Sequence, residues 1–509
     1  MNEGLLYRRQ FLLGDAGSDD FPDAFPTWKK RVIAGGRCLR AHPDLPMTHV
    51  ESGAKSITLL GFVLDPDDPA ANDAQITGRL CRDLEKSRDL PRLTSRLGGR
   101  WVMIVHDGSE TLLFHDAAGL RQVYWLRTSD ERLVCASQPG LLAERHGLSP
   151  DPAAVDYVRS RGDSDWEVYW LPGDRSPYEE VKALLPNHLL RLEAKTVERY
   201  WPTEDVKPIP YEQGLRESVR LLRGLVDSAR RRFKLAVAMT AGWDSRLMLA
   251  LSREEARDLY CYTLLYPSTS HGSRDVYVPA KLLRKLGIEH HLLRYPETVD
   301  GSFKEIAKRS SSSIHTAYCL DTQALRDDYP AERLCLTGDV AEVVKVHYRI
   351  TAMDQPRRRP TAAELARVAK IDPHPFAIAA FESWLADAPP RDHIELLDLF
   401  CWEQMAGRWH GQIRAEYDIV QESFAPLDCR DLLVTMLAVD ERHRTAPKFV
   451  LFRDMLAALW KDVLQVPINP REKIRWKRVI ARTLQRLHIY DRIPPRAKDL
   501  AKRIARRGR

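Results

Sequence analysis

The sequence lacks the patterns of membrane-embedded, zinc-binding and disulfide-stabilised proteins. Its 509 residues contain no apolar run close to the about eighteen residues that a membrane-spanning helix needs. The eight cysteines are widely spaced, with no Cys-x-x-Cys pair and no histidine grouping at metal-ligand spacing, so we expect isolated buried thiols in a reducing compartment. Asp15, Asp19 and Asp20 interrupt the N-terminal region and argue against a signal peptide. We therefore expect a cytoplasmic protein of two or three domains without a transmembrane segment.

Basic charge is concentrated at one end of the sequence. The net charge is +7, but residues 471–509 contain fifteen Lys or Arg and three Asp or Glu, so the rest of the chain is net acidic. Recurring apolar residues before Pro494 and Pro495 predict an amphipathic basic helix in this tail. One interpretation is a solvated helix packed on the preceding domain. The other is contact with an anionic surface or an acidic partner, such as membrane headgroups, an acidic peptide or nucleic acid.

The segment from Leu235 to Leu251 has the pattern of a buried strand, a phosphate-binding turn and a helix. A short apolar run ending at Met239 is followed by small, hydroxyl-bearing and acidic residues and then by helical periodicity. Unpaired N–H groups and the positive dipole end at a helix start favour anions, although the spacing is not that of a Walker loop. The alternative is a strand-turn-helix with an ordinary Asp cap. The residues predicted to hold phosphate groups or Mg²⁺ are Thr240, Ala241, Gly242, Asp244 and Ser245.

Four segments, in a fixed order, resemble the asparagine synthetase family. The turn at Thr240–Ser245 resembles its pyrophosphatase loop, Ser-Gly-Gly-Leu-Asp-Ser. The segment from Leu259 to Gly287 resembles its second strand-helix unit, with a strand at 259–266, Asp275 at the start of the helix and Leu286-Gly287 at its end. Thr337–Glu342 resembles Ser-Gly-Glu-Gly-Ser-Asp-Glu, and Lys448–Arg453 resembles Lys-x-x-Leu-Arg. The resemblance also assigns Leu264 and Gly338 to the nucleotide site.

The resemblance implies roles for individual residues. Asp244 and Glu342 would be the carboxylates that bind Mg²⁺, since the carboxyl ends of parallel strands bring such residues together. Lys448 would stabilise charge on an acyl-adenylate and on departing AMP. Asp339 falls where amide-forming members carry a Glu and β-lactam-forming members a Tyr base, so it would orient or deprotonate an amine. Taken alone, Glu342 is a helix N-terminal carboxylate and Lys448 a solvated surface residue.

A fifth segment, Gln421–Asp428, resembles the acceptor-side motif Glu-x-Arg-x-Pro-Phe-Leu-Asp of the same family. The arginine of that motif is missing, and Ser423 or Phe424 stands in its place. This departure weakens the case for aspartate as the substrate.

The front half is β-rich and resembles the glutaminase domain of the family. Strand-length apolar runs are separated by Gly and Asp turns, including an Asp-x-x-Gly turn at Asp116–Gly119. That domain uses a cysteine at position 2, whereas this chain begins Met1-Asn2-Glu3, and Gly61–Asp65 replaces the glutamine-binding Asn-Gly-Glu loop. We therefore expect no glutaminase activity. The β-lactam synthetases and lasso-peptide cyclases, which resemble the family in architecture, have also abandoned this nucleophile.

The expected architecture has three parts. Residues 1–205 would be an α+β domain of the Ntn-hydrolase type, a degenerate glutaminase-like β-sandwich. Residues 206–470 would be an α/β PP-loop ATP pyrophosphatase domain of the adenine nucleotide α-hydrolase-like type, and residues 471–509 the basic amphipathic tail.

Three functional hypotheses follow. The first is an ATP- and Mg²⁺-dependent carbon-nitrogen ligase that adenylates a small-molecule or peptide carboxylate, releases AMP and pyrophosphate, and captures the acyl group with an amine or ammonia. The second is a tRNA-modifying PP-loop enzyme, which the tail favours and the front β-domain opposes, so nucleic acid is not the expected partner. The third is a non-catalytic nucleotide-binding scaffold, for which Ala241 and Trp243 leave room.

Overall fold

The computed structural model describes residues 3–16, 25–84, 90–161, 170–266, 272–311, 318–348, 359–371, 373–390 and 393–470. Within these ranges the strands form two antiparallel sheets in the front part of the chain and one parallel sheet in the rear part. The molecule is therefore a mixed α/β protein, as the sequence predicts.

The front sheets pack face to face. One has the strand order β10-β8-β9-β1-β3-β2 and the other β12-β11-β7-β6-β5-β4, with antiparallel pairs throughout. These strands are β1 (Phe11–Asp15), β2 (Lys29–Ile33), β3 (Arg37–Ala41), β4 (Met47–Ser52), β5 (Lys55–Leu64), β6 (Gly98–His106), β7 (Thr111–His115), β8 (Tyr124–Arg127), β9 (Leu133–Ala136), β10 (Val181–Ala183), β11 (His188–Arg191) and β12 (Thr196–Arg199).

Apolar side chains from both front sheets share one core. Phe11 and Leu39 of the first sheet and Val102 of the second are fully buried in it. The helices of this part are α1 (Asp73–Leu84), α2 (Leu90–Leu93), α3 (Pro139–His146) and α4 (Pro152–Ser160). Helix α1 covers the outer face of the second sheet, and α3 covers that of the first. These layers are those of a β-sandwich; its assignment to the Ntn-hydrolase type stays a prediction.

The rear sheet is parallel, with the order β15-β14-β13-β16-β17. Its strands are β13 (Lys234–Ala238), β14 (Tyr260–Leu265), β15 (His290–Arg294), β16 (Arg333–Leu336) and β17 (Ser423–Phe424). The chain builds outward from β13 through β14 to β15 and then returns to the other side of β13 with β16. In such sheets, ligands bind beyond the carboxyl ends of the strands at this reversal. The reversal lies between β13 and β16, the two strands that precede the predicted carboxylates.

Helices surround the rear sheet. They are α5 (Tyr211–Arg230), α6 (Trp243–Leu251), α7 (Arg274–Leu286), α8 (Gly301–Ser311), α9 (Tyr318–Asp328), α10 (Ala362–Val368), α11 (Pro375–Asp387), α12 (Leu396–Phe400), α13 (Gly411–Tyr417), α14 (Arg430–Leu437), α15 (Glu441–Arg444) and α16 (Val450–Trp460). A π-helix, Cys401–His410, joins α12 to α13. Gly287 ends α7 in the left-handed conformation, so the predicted Leu-Gly helix stop is confirmed. The predicted strands at 235–239 and 259–266 are confirmed within two residues.

The chain falls into two units, residues 1–468 and 469–509. Between β12 and α5 the proline-rich segment 200–210 contains no helix or strand. The domain boundary between residues 205 and 206 stays a prediction. The basic tail, residues 471–509, lies outside the described residues. Within the described ranges, no helix has both the length and the apolar character required to cross a bilayer.

Candidate functional site

The turn after β13 is organised by hydroxyl groups. The Thr240 and Ser245 hydroxyls lie 3.0 Å apart, and the Thr240 N–H donates to Ser245 Oγ at 3.2 Å. The Gly242 N–H donates to Thr240 Oγ1 at 3.3 Å. Thr240 is exposed, and Gly242 is half-buried at the start of α6. The turn therefore places two hydroxyls and the first N–H groups of a helix at the carboxyl edge of the sheet, a favourable environment for phosphate oxygens.

A carboxylate from the second strand-helix unit fixes the same turn. Asp275, in the first turn of α7, accepts a hydrogen bond of 3.0 Å from the Ala241 N–H. This bond commits one backbone donor of the turn to the protein itself. Leu264 is half-buried in β14 and pairs in register with Leu293 of β15. Sequence reasoning used Asp275 only as a helix start and did not assign it to the site.

Gly338 lets the loop after β16 lie directly against Asp244. A Cβ atom on Gly338 would stand 2.4 Å from the Asp244 Cβ, which is closer than real side chains approach. Only a glycine at this position permits the contact without a shift. The loops after β13 and β16 are therefore packed against each other, as their adjacent carboxyl ends predict.

The carboxylates of Asp244 and Glu342 converge on one ammonium group, that of Lys345. Lys345 donates to Asp244 Oδ1, and its Nζ lies 3.9 Å from Glu342 Oε1. We call these three residues the carboxylate site. Burial raises the pKa of Asp244 to about 6; Lys345 opposes this shift and Glu342 adds to it. The structure thus brings the two predicted Mg²⁺ ligands together and adds a cation that the sequence did not reveal.

The donor chemistry of the carboxylate site fits Mg²⁺. Among the described residues, no group of three or more His, Cys, Asp and Glu is arranged to hold a metal ion by itself. Mg²⁺ commonly binds through one or two carboxylates, with substrate phosphates and water completing its shell. Asp244 and Glu342 would supply such a pair beside the phosphate-favouring turn.

Asp339 is held by an arginine. Its Oδ2 accepts from Thr337 Oγ1 at 2.8 Å and lies 3.0 Å from Arg414 Nε. Burial alone would raise the pKa of Asp339, but the Arg414 guanidinium, His410 and the Thr337 hydroxyl hold it below its usual value. An ionised carboxylate of this kind is better suited to orienting an amine than to removing its proton.

His410 and Val340 form a part of the site that sequence reasoning missed. Val340 has φ 71°, a left-handed conformation that is uncommon for a β-branched residue. Its N–H donates to His410 Nδ1 at 3.2 Å. His410 ends the π-helix, and such helices occur often at functional sites. No local sequence signal places His410 here, because the contact depends on how the Leu396–Tyr417 segment packs on the loop.

Lys448 is exposed in the segment before α16. The ring of the next residue, Phe449, lies 5.8 Å from that of Trp243 and 6.0 Å from Lys345 Nζ. Phe449 has φ 39°, so the backbone is again in the left-handed region beside the site. Lys448 is therefore the neighbour of Phe449, whose ring lies beside the carboxylate site. Lys448 itself has no ion pair among the described residues.

The acceptor-side motif and the residues just before it form buried ion pairs with arginines of the front half. Arg100 Nη2 donates to Asp418 Oδ2 at 2.8 Å, and Glu422 Oε1 accepts from Arg100 at 3.2 Å and from Arg121 at 3.1 Å. Arg9 Nε lies 3.2 Å from Glu422 Oε2. We call Arg9, Arg100, Arg121, Asp418 and Glu422 the junction cluster.

The junction carboxylates differ in pKa. Burial would raise the pKa of Glu422, but Arg121, Arg100 and Arg9 hold it at about 2. Burial outweighs Arg100 at Asp418 and raises the pKa of that carboxyl. Glu422, the glutamate of the acceptor-side motif, is therefore a contact to the front half in this protein.

The front half presents buried cysteines. All eight cysteines of the chain are buried free thiols. Burial raises the pKa of Cys135, in the front half, to about 12, which disfavours the nucleophilic thiolate. The absence of glutaminase activity stays a prediction.

No protein-family profile and no curated protein sequence matches this chain. Among solved structures, the chain is similar to an NH3-dependent NAD synthetase from Campylobacter jejuni, with 14% identity over 27% of this chain and 60% of that chain, at a TM-score of 0.19. A glutamine phosphoribosylpyrophosphate amidotransferase from B. subtilis has 11% identity over 59% of this chain and 63% of that chain, at a TM-score of 0.23. A glutamine-dependent NAD+ synthetase from Acinetobacter baumannii has 17% identity over 38% and 43%, at a TM-score of 0.20. The chain spans less than two thirds of each, and TM-scores this low establish neither a shared fold nor a shared function.

Proposed function

We propose that this protein is an ATP-dependent ligase of the asparagine synthetase type, which adenylates a carboxylate and joins the acyl group to an amine or ammonia without glutaminase activity of its own. The observation that carries the proposal is the convergence of Asp244 and Glu342 at the reversal between β13 and β16. Hydroxyls and helix N–H groups for phosphate lie on the same turn as Asp244. Carboxylates for a hard cation and donors for phosphate, side by side, are what a nucleotide site requires.

The reaction has two steps. An oxygen of the substrate carboxylate attacks the α-phosphorus of ATP, the bond to the bridging oxygen breaks, and pyrophosphate leaves. The amine nitrogen then attacks the acyl carbon, the carbon-oxygen bond to AMP breaks, and the amine loses a proton. The product is an amide, or a lactam when the amine belongs to the same molecule.

Each residue of the site has a role in this scheme. Thr240, Gly242 and Ser245 would hold the pyrophosphate oxygens through their hydroxyl and N–H groups. When bound by Asp244 and Glu342, Mg²⁺ would neutralise negative charge on those oxygens. Lys448 would move from its exposed position to the charged phosphate, and Asp339, kept ionised by Arg414, would orient the incoming amine.

The test is ATP–pyrophosphate exchange with a panel of carboxylates that includes aspartate. We expect exchange that depends on one carboxylate and is abolished in Asp244→Ala. Asp258→Ala is a matched control, because Asp258 is exposed just before β14, at the opposite edge of the sheet. Exchange that survives in Asp244→Ala would contradict the assigned site.

A non-catalytic nucleotide-binding scaffold is the second candidate, and Lys345 is the observation that favours it. An internal ammonium on Asp244 is one way in which a former metal site is neutralised. The scaffold predicts no exchange with any carboxylate and no Mg²⁺-dependent ATP binding. ATP binding that requires Mg²⁺ would favour the ligase. The tRNA-modifying alternative depends on the basic tail, which lies outside the described residues.

A further inference from the structure

Lys345 belongs to the same loop as Glu342 and points back at both carboxylates. It directly follows the 3-10 helix Ala341–Val344 and lies three positions after Glu342 in the sequence. Its side chain is 10% exposed, and its ammonium donates to Asp244 Oδ1. This is a nearly buried cation aimed at the oxygens that the proposed function assigns to Mg²⁺.

Two aromatic rings also lie near the ammonium. Lys345 Nζ lies 5.1 Å from the ring centroid of Phe452 and 6.0 Å from that of Phe449. Both rings are within the range in which a cation is attracted to an aromatic face. The carboxylates and the rings together therefore favour this position of the ammonium.

We propose that Lys345 competes with the divalent cation for Asp244 and Glu342. In the free protein the ammonium offsets one of the two negative charges and occupies Asp244, so a metal ion alone binds weakly. A nucleotide offers phosphate oxygens as new acceptors for Lys345, which releases Asp244 for the metal ion. Metal ion and nucleotide consequently bind with positive cooperativity. This inference rests on the proposed function, since it takes the nucleotide to be the group that draws Lys345 away.

The experiment measures binding of Mn²⁺, a paramagnetic substitute for Mg²⁺, to the full-length protein by electron paramagnetic resonance. Without nucleotide, we expect Lys345→Met to lower the Kd for Mn²⁺ by about tenfold. Adding ATP should lower the Kd of the wild type by a similar factor and that of Lys345→Met much less. Asp244→Asn in the Lys345→Met background should remove the tight binding and so locate it.

Lys234→Met is the matched control, because it removes the same charge from the exposed amino end of β13, the strand that leads into the turn. It should leave the Kd for Mn²⁺ unchanged. Lys345→Gln is a second variant of the competing residue, in case the apolar side chain disturbs the fold.

The outcomes separate this inference from the proposed function. Equal Mn²⁺ affinity in wild type and both Lys345 variants would overturn the competition, whether or not exchange activity is found. Tighter Mn²⁺ binding by Lys345→Met, together with no exchange for any carboxylate, would support the competition and leave the ligase activity without support. No Mn²⁺ binding by any variant, even with ATP, would overturn both.

Discussion

The junction cluster and the carboxylate site are both largely buried, but their charges are balanced in opposite ways. The junction cluster gives two carboxylates three guanidinium groups. The carboxylate site gives two carboxylates one ammonium among the described residues. Glu422, which contacts all three guanidinium groups, has its pKa held at about 2, although burial raises the pKa of Asp418. In the carboxylate site, burial raises the pKa of Asp244 to about 6.

If the proposed function holds, the difference separates charge that stabilises the fold from charge that is left for a ligand. A saturated ionic cluster fixes two parts of a protein in one arrangement, and removing one member leaves an uncompensated buried charge. A carboxylate pair with one ammonium retains negative charge that a second cation can satisfy. The same residue types therefore have different consequences when they are mutated.

The largest expected effect is on stability, at the junction. Arg100→Ala should lower the free energy of unfolding by about 3–5 kcal/mol, because Asp418 and Glu422 lose their shared buried partner. Urea unfolding followed by tryptophan fluorescence measures this. Arg220, which is exposed and pairs with Glu217 and Asp67, supplies the control, and Arg220→Ala should cost no more than about 1 kcal/mol. Similar losses for both variants would mean that the junction cluster stabilises the fold no more than an exposed ion pair does.

The next effect is on activity alone. Lys448→Met should lower the rate of ATP–pyrophosphate exchange by about a hundredfold, since one positioned charge near a developing charge is commonly worth that much. ATP affinity and the melting temperature should change little, because Lys448 is exposed and has no ion pair among the described residues. Lys461→Met, an exposed lysine directly after α16, is the control. Equal losses in turnover and ATP affinity would contradict the role assigned to Lys448.

Local sequence patterns were sufficient for the elements that carry the site. The apolar run before Thr240 and the small residues after it predicted β13, the turn and α6. The Leu-Gly stop predicted the end of α7. These features depend on the hydrophobic periodicity and turn preferences of neighbouring residues, which can be read along the chain.

Lys345, His410 and Arg100 could not be predicted in the same way. None of the three belongs to a recognisable motif. Lys345 follows the short helix Ala341–Val344, His410 is the last residue of the π-helix Cys401–His410, and Arg100 lies inside β6. Their importance comes from partners far along the chain: Asp244 for Lys345, Val340 for His410 and Asp418 for Arg100. Tertiary packing determines such contacts, and no local spacing encodes them.

Two glycines allow a comparison of stability between a tightly packed loop, at Gly338, and an open turn, at Gly242. Gly338→Ala should destabilise the protein by about 1–3 kcal/mol, because its Cβ would displace Asp244. Gly242→Ala meets only the Thr240 hydroxyl, at 3.4 Å, so its stability should change by less than about 0.5 kcal/mol. Thermal unfolding distinguishes them, and ATP titration of Gly242→Ala then reports on phosphate contact alone. Equal melting temperatures for the two variants would contradict the tight contact at Gly338.

The smallest effect concerns a second contact between the front and rear parts, made by Asp428. Asp428 Oδ1 accepts from the Ala118 N–H at 2.7 Å, and Oδ2 has no donor among the described residues unless a proton is shared with Asp116. Burial and the neighbouring Asp116 raise the pKa of Asp428 well above its usual value. The folded state therefore keeps a proton that the unfolded state loses, so this carboxyl contributes stability at low pH that declines as pH rises toward the folded pKa.

Asp428→Asn should remove this pH dependence, since the amide supplies an N–H in place of the shared proton. Relative to the wild type, the variant should become more stable as pH increases from about 5 to 8, with little difference at the acidic end. Melting temperatures across that range measure the trend. A difference that is constant with pH would mean that the Asp116–Asp428 contact holds no proton. In that case the junction between the front and rear parts would depend on the arginines of the junction cluster.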